Sequence, residues 1–521
     1  MINEKNEDYQ YNRCSSRGIC SINPTTASLQ EVILLYLKSV SYYGLRAKDC
    51  GIKDKRIKNL VLNTISVLSS SYEISQADFD IINSSFKTEL PRIIKEFNDI
   101  CSENEKPDLF LKADAELSDY IRFGEKEFNK RLESLSVAER NLYGMLFVLV
   151  KSFCINILTY ESYGAESEDY VFLVFKVLNL LNVSDAKKED LKDIITEISE
   201  KDCELMLKIR DCQEKMYGEQ EESDVSFSTT KGKAMLVVGS NIRELEQILD
   251  IFNDKVVDIY THDNMILAHT FPYFRKYKNL KGQFGQGMES CLLDFSTFPG
   301  PIILTRHSLF NVESLYRGVL FTTDFSSPKG VIRIKDNDFS KVMKSVSESK
   351  GFKTGRTCDS EKVGFSQTIM IKNIEQKLAS GKYNQIVLLG TGGYSTEEKE
   401  YFKTFMKHVP NDVLIVSLFC CEQRENIICV NASNDIYAMN RLFQVVSEKF
   451  SQKITLIFPY IERHTLSVII NSAKNKKIKI FVGNRNQTVI KPNITEVLKT
   501  EFGVFEITTP KKDLNNITDV K

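Results

Sequence analysis

The stretch AMLVVGSNIRELEQILDIFNDKVVDIY, residues 234–260, decides the fold. Its apolar run at residues 234–239 predicts a buried strand, residues 241–252 predict a helix, and residues 256–260 predict a second strand. Strand, helix and strand in this order form the unit from which parallel, doubly wound sheets are built. The sequence from residue 234 onward therefore predicts an α/β architecture.

The same alternation continues toward the C-terminus. The polar, Gly-, Ser- and Lys-rich segment 345–365 separates two such domains. Four further apolar runs predict strands with helices between them, at residues 385–390, 413–418, 454–458 and 478–482.

The first 215 residues have a different pattern, in which Gly and Pro are scarce. The runs 142–150 and 171–178 are apolar on nearly every side, which is typical of buried helices. Ser28 and Glu31 have the spacing of a capping box, which predicts a helix start at Ser28. These patterns indicate a helical bundle.

A polar stretch at residues 218–233 marks the first domain boundary. We therefore predict an α plus α/β fold: an N-terminal helical-bundle domain, then two Rossmann-like, doubly wound parallel-sheet domains. The predicted domains are residues 1–225, 226–360 and 361–521.

Composition excludes several classes of protein. Of the 521 residues, 69 are Lys or Arg and 70 are Asp or Glu, so the net charge is −1. A near-neutral chain gives no electrostatic reason to expect nucleic acid or an anionic membrane as a partner. No apolar run approaches the roughly 20 residues that a membrane span needs, and the N-terminus is polar, so we expect a cytoplasmic protein. In that compartment the 12 cysteines are free thiols or metal ligands rather than disulfides.

In doubly wound folds, ligands bind at the carboxyl ends of the strands. There, residues 390–393 read GTGG, which is either an anion cradle or a tight turn between strand and helix. Cys420 and Cys421 follow a predicted strand, and each is either a metal ligand or a buried packing residue. His262 and His269 are seven residues apart with no evident partner carboxylate, which favours structural histidines.

Cys14 and Cys20 are a second cysteine pair, near the N-terminus. Two thiolates are half of the ligand set that zinc or an iron–sulfur cluster needs, so the alternative for this pair is ordinary packing.

Three stretches resemble the hybrid cluster protein family, whose members are also called prismane proteins or hydroxylamine reductases. They are YTHDNMILAH at residues 260–269, Phe271-Pro272, and FPGPI at residues 298–302. The Cys-x5-Cys spacing of Cys14 and Cys20 and the strand order of the last 140 residues resemble that family as well. The resemblance covers essentially the whole chain and implies the same three-domain fold.

The resemblance also implies two iron–sulfur centres. The first is a cubane-type cluster on four N-terminal cysteines, of which Cys14 and Cys20 match the second pair. The first pair falls near Ile2 and Lys5, so its thiols are missing.

The second centre is the hybrid iron–sulfur–oxygen cluster, at which the family reduces hydroxylamine or nitric oxide. Two of its seven ligands are kept, as Cys420 and Glu462, and His464 stands where the family has a lysine. The five other ligand positions of the family hold different residues here, namely Ser240, Asn264, Ser308, Gly392 and Ser433.

Three hypotheses follow. In the first, the chain keeps the fold but has lost the clusters, because serine and asparagine oxygens replace thiolate and imidazole poorly around iron. It would be a non-catalytic pseudoenzyme without a cofactor that binds a protein partner, either an intact paralogue or another redox protein. Ser308 and Ser433 would then form hydrogen bonds across the former cluster site.

In the second hypothesis the chain is a divergent hydroxylamine or nitric oxide reductase-like oxidoreductase, and it holds an iron–sulfur cluster or metal only if the site is remodelled. The candidate ligands of that site are Cys420, Cys421, Glu462, His464 and His307. In the third, the vacated cavity is a polar pocket for a small molecule or nucleotide.

Overall fold

In the computed structural model, the stretch that opens the α/β region is a strand, a helix and a strand, as the sequence predicts. The strand is Ala234–Val238, and its five side chains are all buried. Asn241 caps the helix that follows, because its side-chain oxygen accepts the backbone N–H of Glu244 at 3.1 Å. The structure describes residues 24–49, 55–69, 76–101, 115–181, 187–285, 290–308, 316–325, 327, 330–390, 396–419, 421, 424–486 and 493–518.

The chain divides into two compact units. The first consists of Met1–Ile198 and Arg306–Asn337, and the second of Ser199–Thr305 and Asp338–Lys521. The predicted domain boundaries remain predictions.

Helices make up most of the first unit. Helix α1 begins at Pro24, so Ser28 and Glu31 lie inside it and are buried; the capping box predicted there is wrong. A capping box does open α5, between Ser136 and Glu139. The helices that begin in this unit are α1 (Pro24–Asp49), α2 (Lys55–Ser69), α3 (Gln76–Cys101), α4 (Leu117–Ser134), α5 (Val137–Ser162), α6 (Glu168–Leu180) and α7 (Lys188–Tyr217), the last continuing into the second unit.

Helix α5 corrects one sequence expectation. It is long and apolar enough to cross a membrane by length and composition alone, although the sequence suggested no run of that length. In the window that meets this test, 67% of the residues are buried inside the protein. Leu146, Leu149 and Phe153, for example, are fully buried. This burial is typical of the core helix of a helical bundle.

The second unit contains a parallel sheet in which four strands lie in the order β4-β3-β2-β5. Val237 on β2 is in register with Thr261 on β3 and with Ile303 on β5. A 3₁₀ helix, Asp263–Thr270, follows β3 directly, so His262 and His269 do not share a helix. The elements are β2 (Ala234–Val238), α8 (Ile242–Phe252), β3 (Asp258–His262), β4 (Leu280–Gln283), α9 (Cys291–Thr297) and β5 (Ile302–Leu304). In the first unit, β6 (Leu320–Thr322) and β7 (Ile332–Arg333) pair in parallel.

A second parallel sheet completes the second unit, with six strands in the order β11-β10-β9-β12-β13-β14. Four of its strands, β9, β10, β12 and β13, match the predicted apolar runs, whereas β11 and β14, of three and two residues, were not predicted. They are β9 (Gln385–Leu389), β10 (Val413–Ser417), β11 (Ile427–Cys429), β12 (Lys453–Ile461), β13 (Lys479–Asn486) and β14 (Phe505–Glu506). The helices around it are α10 (Ser340–Glu348), α11 (Gln367–Leu378), α12 (Thr396–Lys407), α13 (Ile436–Lys449), α14 (Arg463–Ala473), α15 (Asn493–Phe502) and α16 (Pro510–Thr518).

The two polar segments predicted as boundaries each contain a strand. Strand β1 (Ser223–Ser226) pairs antiparallel with β8 (Ser360–Val363), with Ser226 opposite Ser360. These short polar strands have no apolar run to reveal them. Apart from this pair, the predicted fold class is confirmed: a helical N-terminal region precedes two parallel-sheet α/β regions.

Candidate functional site

Two of the substituted ligand positions meet in the second unit. Asn264 begins the 3₁₀ helix that follows β3, and Ser433 lies four residues beyond the end of β11. The Ser433 hydroxyl donates a hydrogen bond to Oδ1 of Asn264 at 3.3 Å. The hydrogen bond predicted for Ser433 is therefore present, and it joins the ends of two different sheets.

Glu462 is one of the two ligand positions that the resemblance implies are kept. Its side chain contacts Asn434, the residue that follows Ser433. Glu462 follows β12, and its side chain is largely buried, with 8% exposed. Nδ2 of Asn434 donates to Oε2 of Glu462 at 2.9 Å. The backbone N–H of Glu462 donates to Oγ1 of Thr465 at 2.9 Å, at the start of α14. The first contact orients the carboxyl group, and the second fixes the backbone of Glu462 at the start of α14.

Asp263 brings a second carboxyl group to this place, and sequence reasoning missed it. Burial raises the pKa of Asp263, while His262 and the N–H of Asn264 oppose that effect. Burial also raises the pKa of Glu462, and the nearby Asp263 raises it further, against Asn434 and Arg463. The charge of Asp263 therefore disfavours the ionisation of Glu462.

The signal for Asp263 was present in the sequence. The family motif Thr-His-Gly-Glu-Met has glycine at this position, and the backbone of Asp263 has a φ of 59°. That left-handed conformation is ordinary for glycine and costs energy for most other residues, although aspartate tolerates it.

His464 is the second residue of α14 and lies beside Arg463. Burial lowers the pKa of His464 well below its usual value, and the charge of Arg463 lowers it further. Nε of Arg463 lies 3.4 Å from Nε2 of His464, with Arg463 as donor. The imidazole is thus neutral, and this nitrogen's lone pair faces an arginine.

Ser240 and Ser308 are not part of this arrangement. Ser240 follows β2 and is exposed. Ser308 is buried and belongs to the first unit. Its neighbour His307 has Nε2 at 2.6 Å from Oγ of Ser66 and donates its backbone N–H to Asp324 at 3.0 Å. The other predicted site residues, Cys14, Cys20, Gly392 and Cys420, lie outside the described residues.

His262 has a carboxylate partner that the sequence did not reveal. Its Nε2 lies 3.0 Å from Oδ2 of Asp294, and its ring is fully buried. The hydroxyl of Ser290 also donates to Asp294. Nothing in the spacing of His262 and Asp294 marks such a pair, because the two residues are brought together only by the fold of β3 and α9.

Two thiols lie together at the carboxyl end of β10 and β11. Sγ of Cys429 accepts the backbone N–H of Cys421 at 2.7 Å. The hydrogen bond from the Cys421 side chain lowers the pKa of Cys429, against the effect of burial. Within the described ranges, no three histidine, cysteine, aspartate or glutamate side chains form a group able to hold a metal ion.

Three comparisons place the chain among known proteins. The model of the prismane/CO dehydrogenase family matches residues 10–428. The hydroxylamine reductase of Thermodesulfovibrio yellowstonii is 24% identical, over 97% of this chain and 98% of that protein. That of Acidiphilium cryptum is 22% identical, over 96% and 94%.

A solved alpha subunit of acetyl-CoA synthase/carbon monoxide dehydrogenase has a TM-score of 0.45 and 10% identity, over 97% of this chain and 84% of that one. The family match spans most of the sequence and agrees with the motifs at residues 260–269 and 298–302. The chain belongs to the prismane/CO dehydrogenase family.

Proposed function

We propose that this chain is a member of the family that has lost the hybrid cluster and acts without catalysis, as a binding or partner protein. The hydrogen bond between Ser433 and Asn264 carries the proposal. At these two positions the family has a cysteine thiolate and a glutamate, which bind iron. Here a hydroxyl and an amide bind each other, and neither is a good ligand for iron.

The kept residues support the same interpretation. Oε2 of Glu462 accepts a hydrogen bond from Asn434, and Nε2 of His464 faces Arg463. Burial raises the pKa of both Glu462 and Asp263, which disfavours their charged forms, the forms that bind cations. A buried polar cluster whose members satisfy one another needs no metal to be stable.

We further propose that the chain binds a protein partner, either an intact paralogue or another redox protein. We also propose that the chain acts in the cytoplasm. A fold inherited from a reductase retains a surface to which electron-transfer partners bind. This part of the proposal rests on the family and on the near-neutral charge of the chain.

The test is the iron and acid-labile sulfide content per chain after strictly anaerobic purification, with a visible absorption spectrum. The hydroxylamine reductase of Acidiphilium cryptum, purified in parallel, is the positive control. We expect essentially no iron in this chain and no turnover of hydroxylamine. Several irons per chain, with turnover, would favour the remodelled oxidoreductase that uses Cys420 and Glu462.

A variant that restores four ligand types of the family provides a stricter test. Asn264→Glu with Ser433→Cys restores two ligand types at once, and Ser240→His with Ser308→Cys restores two more. If lost ligands explain the missing iron, the fourfold variant gains iron and the single changes do not. Equal iron in the original chain and the fourfold variant would contradict the proposal.

A further inference from the structure

Cys421 and Cys429 form a close pair of thiols on side chains that no step of the proposed function uses. Cys429 is the last residue of β11, is 7% exposed and packs in the apolar cluster that includes Phe405 and Ile415. Cys421 is partly exposed and packs against that cluster from the loop after β10. One thiol therefore contacts solvent while the other lies behind it.

The backbone of the loop surrounds the sulfur of Cys429. Sγ of Cys429 lies 2.7 Å from the backbone nitrogen of Cys421 and 3.1 Å from its carbonyl oxygen. It also lies 3.2 Å from the carbonyl oxygen of Phe419. The Cys421 side chain also forms a hydrogen bond with the Cys429 side chain, which places the two thiols in contact.

This position brings the two sulfurs within reach of a disulfide bond. A disulfide needs two sulfurs at about 2.05 Å and Cβ atoms about 3.8 Å apart. The loop that carries Cys421 is itself held, because the hydroxyl of Ser417 donates to the carbonyl of Phe419 at 3.0 Å.

We propose that Cys421 and Cys429 are a reversible dithiol–disulfide pair, oxidised by a low-molecular-weight disulfide. The partly exposed Cys421 thiolate attacks one sulfur of the small disulfide and releases one thiol. The sulfur of Cys429 then attacks Cys421 in the mixed disulfide and releases the second thiol. Two protein thiols are oxidised, one small disulfide is reduced to two thiols, and the two protons pass to the released thiolates.

The contacts distinguish this pair from the other described cysteines. Cys212, Cys291 and Cys358 are partly exposed but lie on different elements, and Cys154 and Cys203 are buried on helices. The proposal goes beyond the proposed function, because it concerns side chains that the proposed function does not use.

The test uses the full chain, reduced and then equilibrated in buffers with increasing ratios of oxidised to reduced glutathione. After acid quenching and alkylation of the remaining thiols, peptide mass spectrometry identifies the joined cysteines. We expect one disulfide between the peptides of Cys421 and Cys429, half formed at a defined ratio and reversed by reduced glutathione.

Variants identify the partners. Cys429→Ser should leave Cys421 as a mixed disulfide with glutathione, and Cys358→Ser, the matched control, should leave the Cys421–Cys429 bond unchanged. Cys420→Ser should also leave it unchanged. Alkylation of both thiols across the whole buffer range in the original chain would overturn the proposal, as would a disulfide of Cys421 with Cys420 instead.

Discussion

Single residues explain how the candidate site differs from that of the family. Asp263 stands where the family motif has glycine, directly beside Asn264, which stands where the family has glutamate. In the proposed loss of the cluster, a carboxyl group thus stands one position before the one that the family resemblance implies. Its left-handed backbone and its raised pKa both indicate a residue that is not placed there for stability.

Replacing Asp263 with glycine should therefore stabilise the chain. The variant removes a Cβ from a left-handed position and a carboxylate that burial disfavours. Asp336→Gly is the matched control, because Asp336 has a φ of 51° and is exposed. At pH 7 we expect D263G to gain on the order of 1 kcal/mol more in free energy of unfolding than D336G, as measured by chemical denaturation.

The size of this difference in stability depends on pH. The folded pKa of Asp263 is raised, so its carboxylate opposes folding above the ordinary value of 3.8 and has no effect below it. The advantage of D263G should shrink as the pH falls toward 3.8. A loss of stability in D263G at pH 7 would mean that a bound cation or another partner stabilises the carboxylate.

For His269 we expect the opposite dependence of stability on pH. Burial lowers its pKa to about 4, and its Nε2 lies 2.9 Å from Oγ1 of Thr261. Between pH 6.5 and about 4 the unfolded chain binds a proton that the folded chain does not, so stability falls as the pH falls through this window. His269→Gln should reduce that loss by about 2 kcal/mol, measured as the change in unfolding free energy from pH 7 to pH 4.5.

The control for this change is His408→Gln, because His408 is exposed. H408Q should keep the pH dependence of the original chain. If H269Q and the original chain lose the same stability on acidification, His269 is not the group that titrates in this window.

At the scale of elements, helix α13 begins at a charged cap. Oδ1 of Asp435 accepts the backbone N–H of Ala438 at 3.0 Å, and its other oxygen pairs with Arg210 of α7. Arg210 is only 2% exposed. Nε2 of Gln220 adds a hydrogen bond to the same carboxylate oxygen at 3.1 Å. One aspartate thus caps a helix and neutralises a buried guanidinium.

Asp435→Ala should therefore cost far more than the loss of a cap. We expect about 3 to 5 kcal/mol of unfolding free energy, because the buried charge of Arg210 loses its counterion. Asn241→Ala, which removes the cap of α8 without a buried charge, should cost about 1 kcal/mol. Denaturation curves of both variants test this, and equal losses would show that Arg210 does not depend on Asp435.

The elements also show what the sequence can and cannot predict. The strands β2, β9 and β10 were predictable because each is an apolar run buried on both faces. Strands β1 and β8 were not, because Ser, Asp, Glu and Lys dominate them and only their pairing makes them strands.

Contacts in the candidate site were likewise not predictable where only the fold brings the residues together. The positions of Asn264 and Ser433 came from motifs that the family resemblance supplied. The contacts His262–Asp294 and Asp263–Glu462 depend on the fold, which brings together residues that are distant in the sequence.

At the scale of the whole molecule, the burial of helix α5 determines whether we expect the chain to stay in solution without detergent. By length and composition it resembles a membrane span, yet 67% of the residues in its apolar window are buried inside the protein. Apolar side chains can be removed from water by a protein core as well as by a bilayer. Burial in the core therefore makes a membrane unnecessary for this helix.

We therefore expect the full chain to remain in the supernatant after ultracentrifugation in buffer without detergent. Leu149→Asp, which places a charge at a fully buried position of α5, should instead unfold the first unit and cause aggregation. Recovery of the original chain only from the membrane fraction, and its release only by detergent, would contradict this expectation.

The pairing of β1 with β8 has a consequence for the time course of folding. Ser226 pairs with Ser360 only after the long segment between them has become compact, and closing so large a loop costs conformational entropy. Contacts between residues so distant in the chain form slowly. We therefore expect this small polar ribbon to form after strands β2 to β5, which lie between its two halves in the sequence.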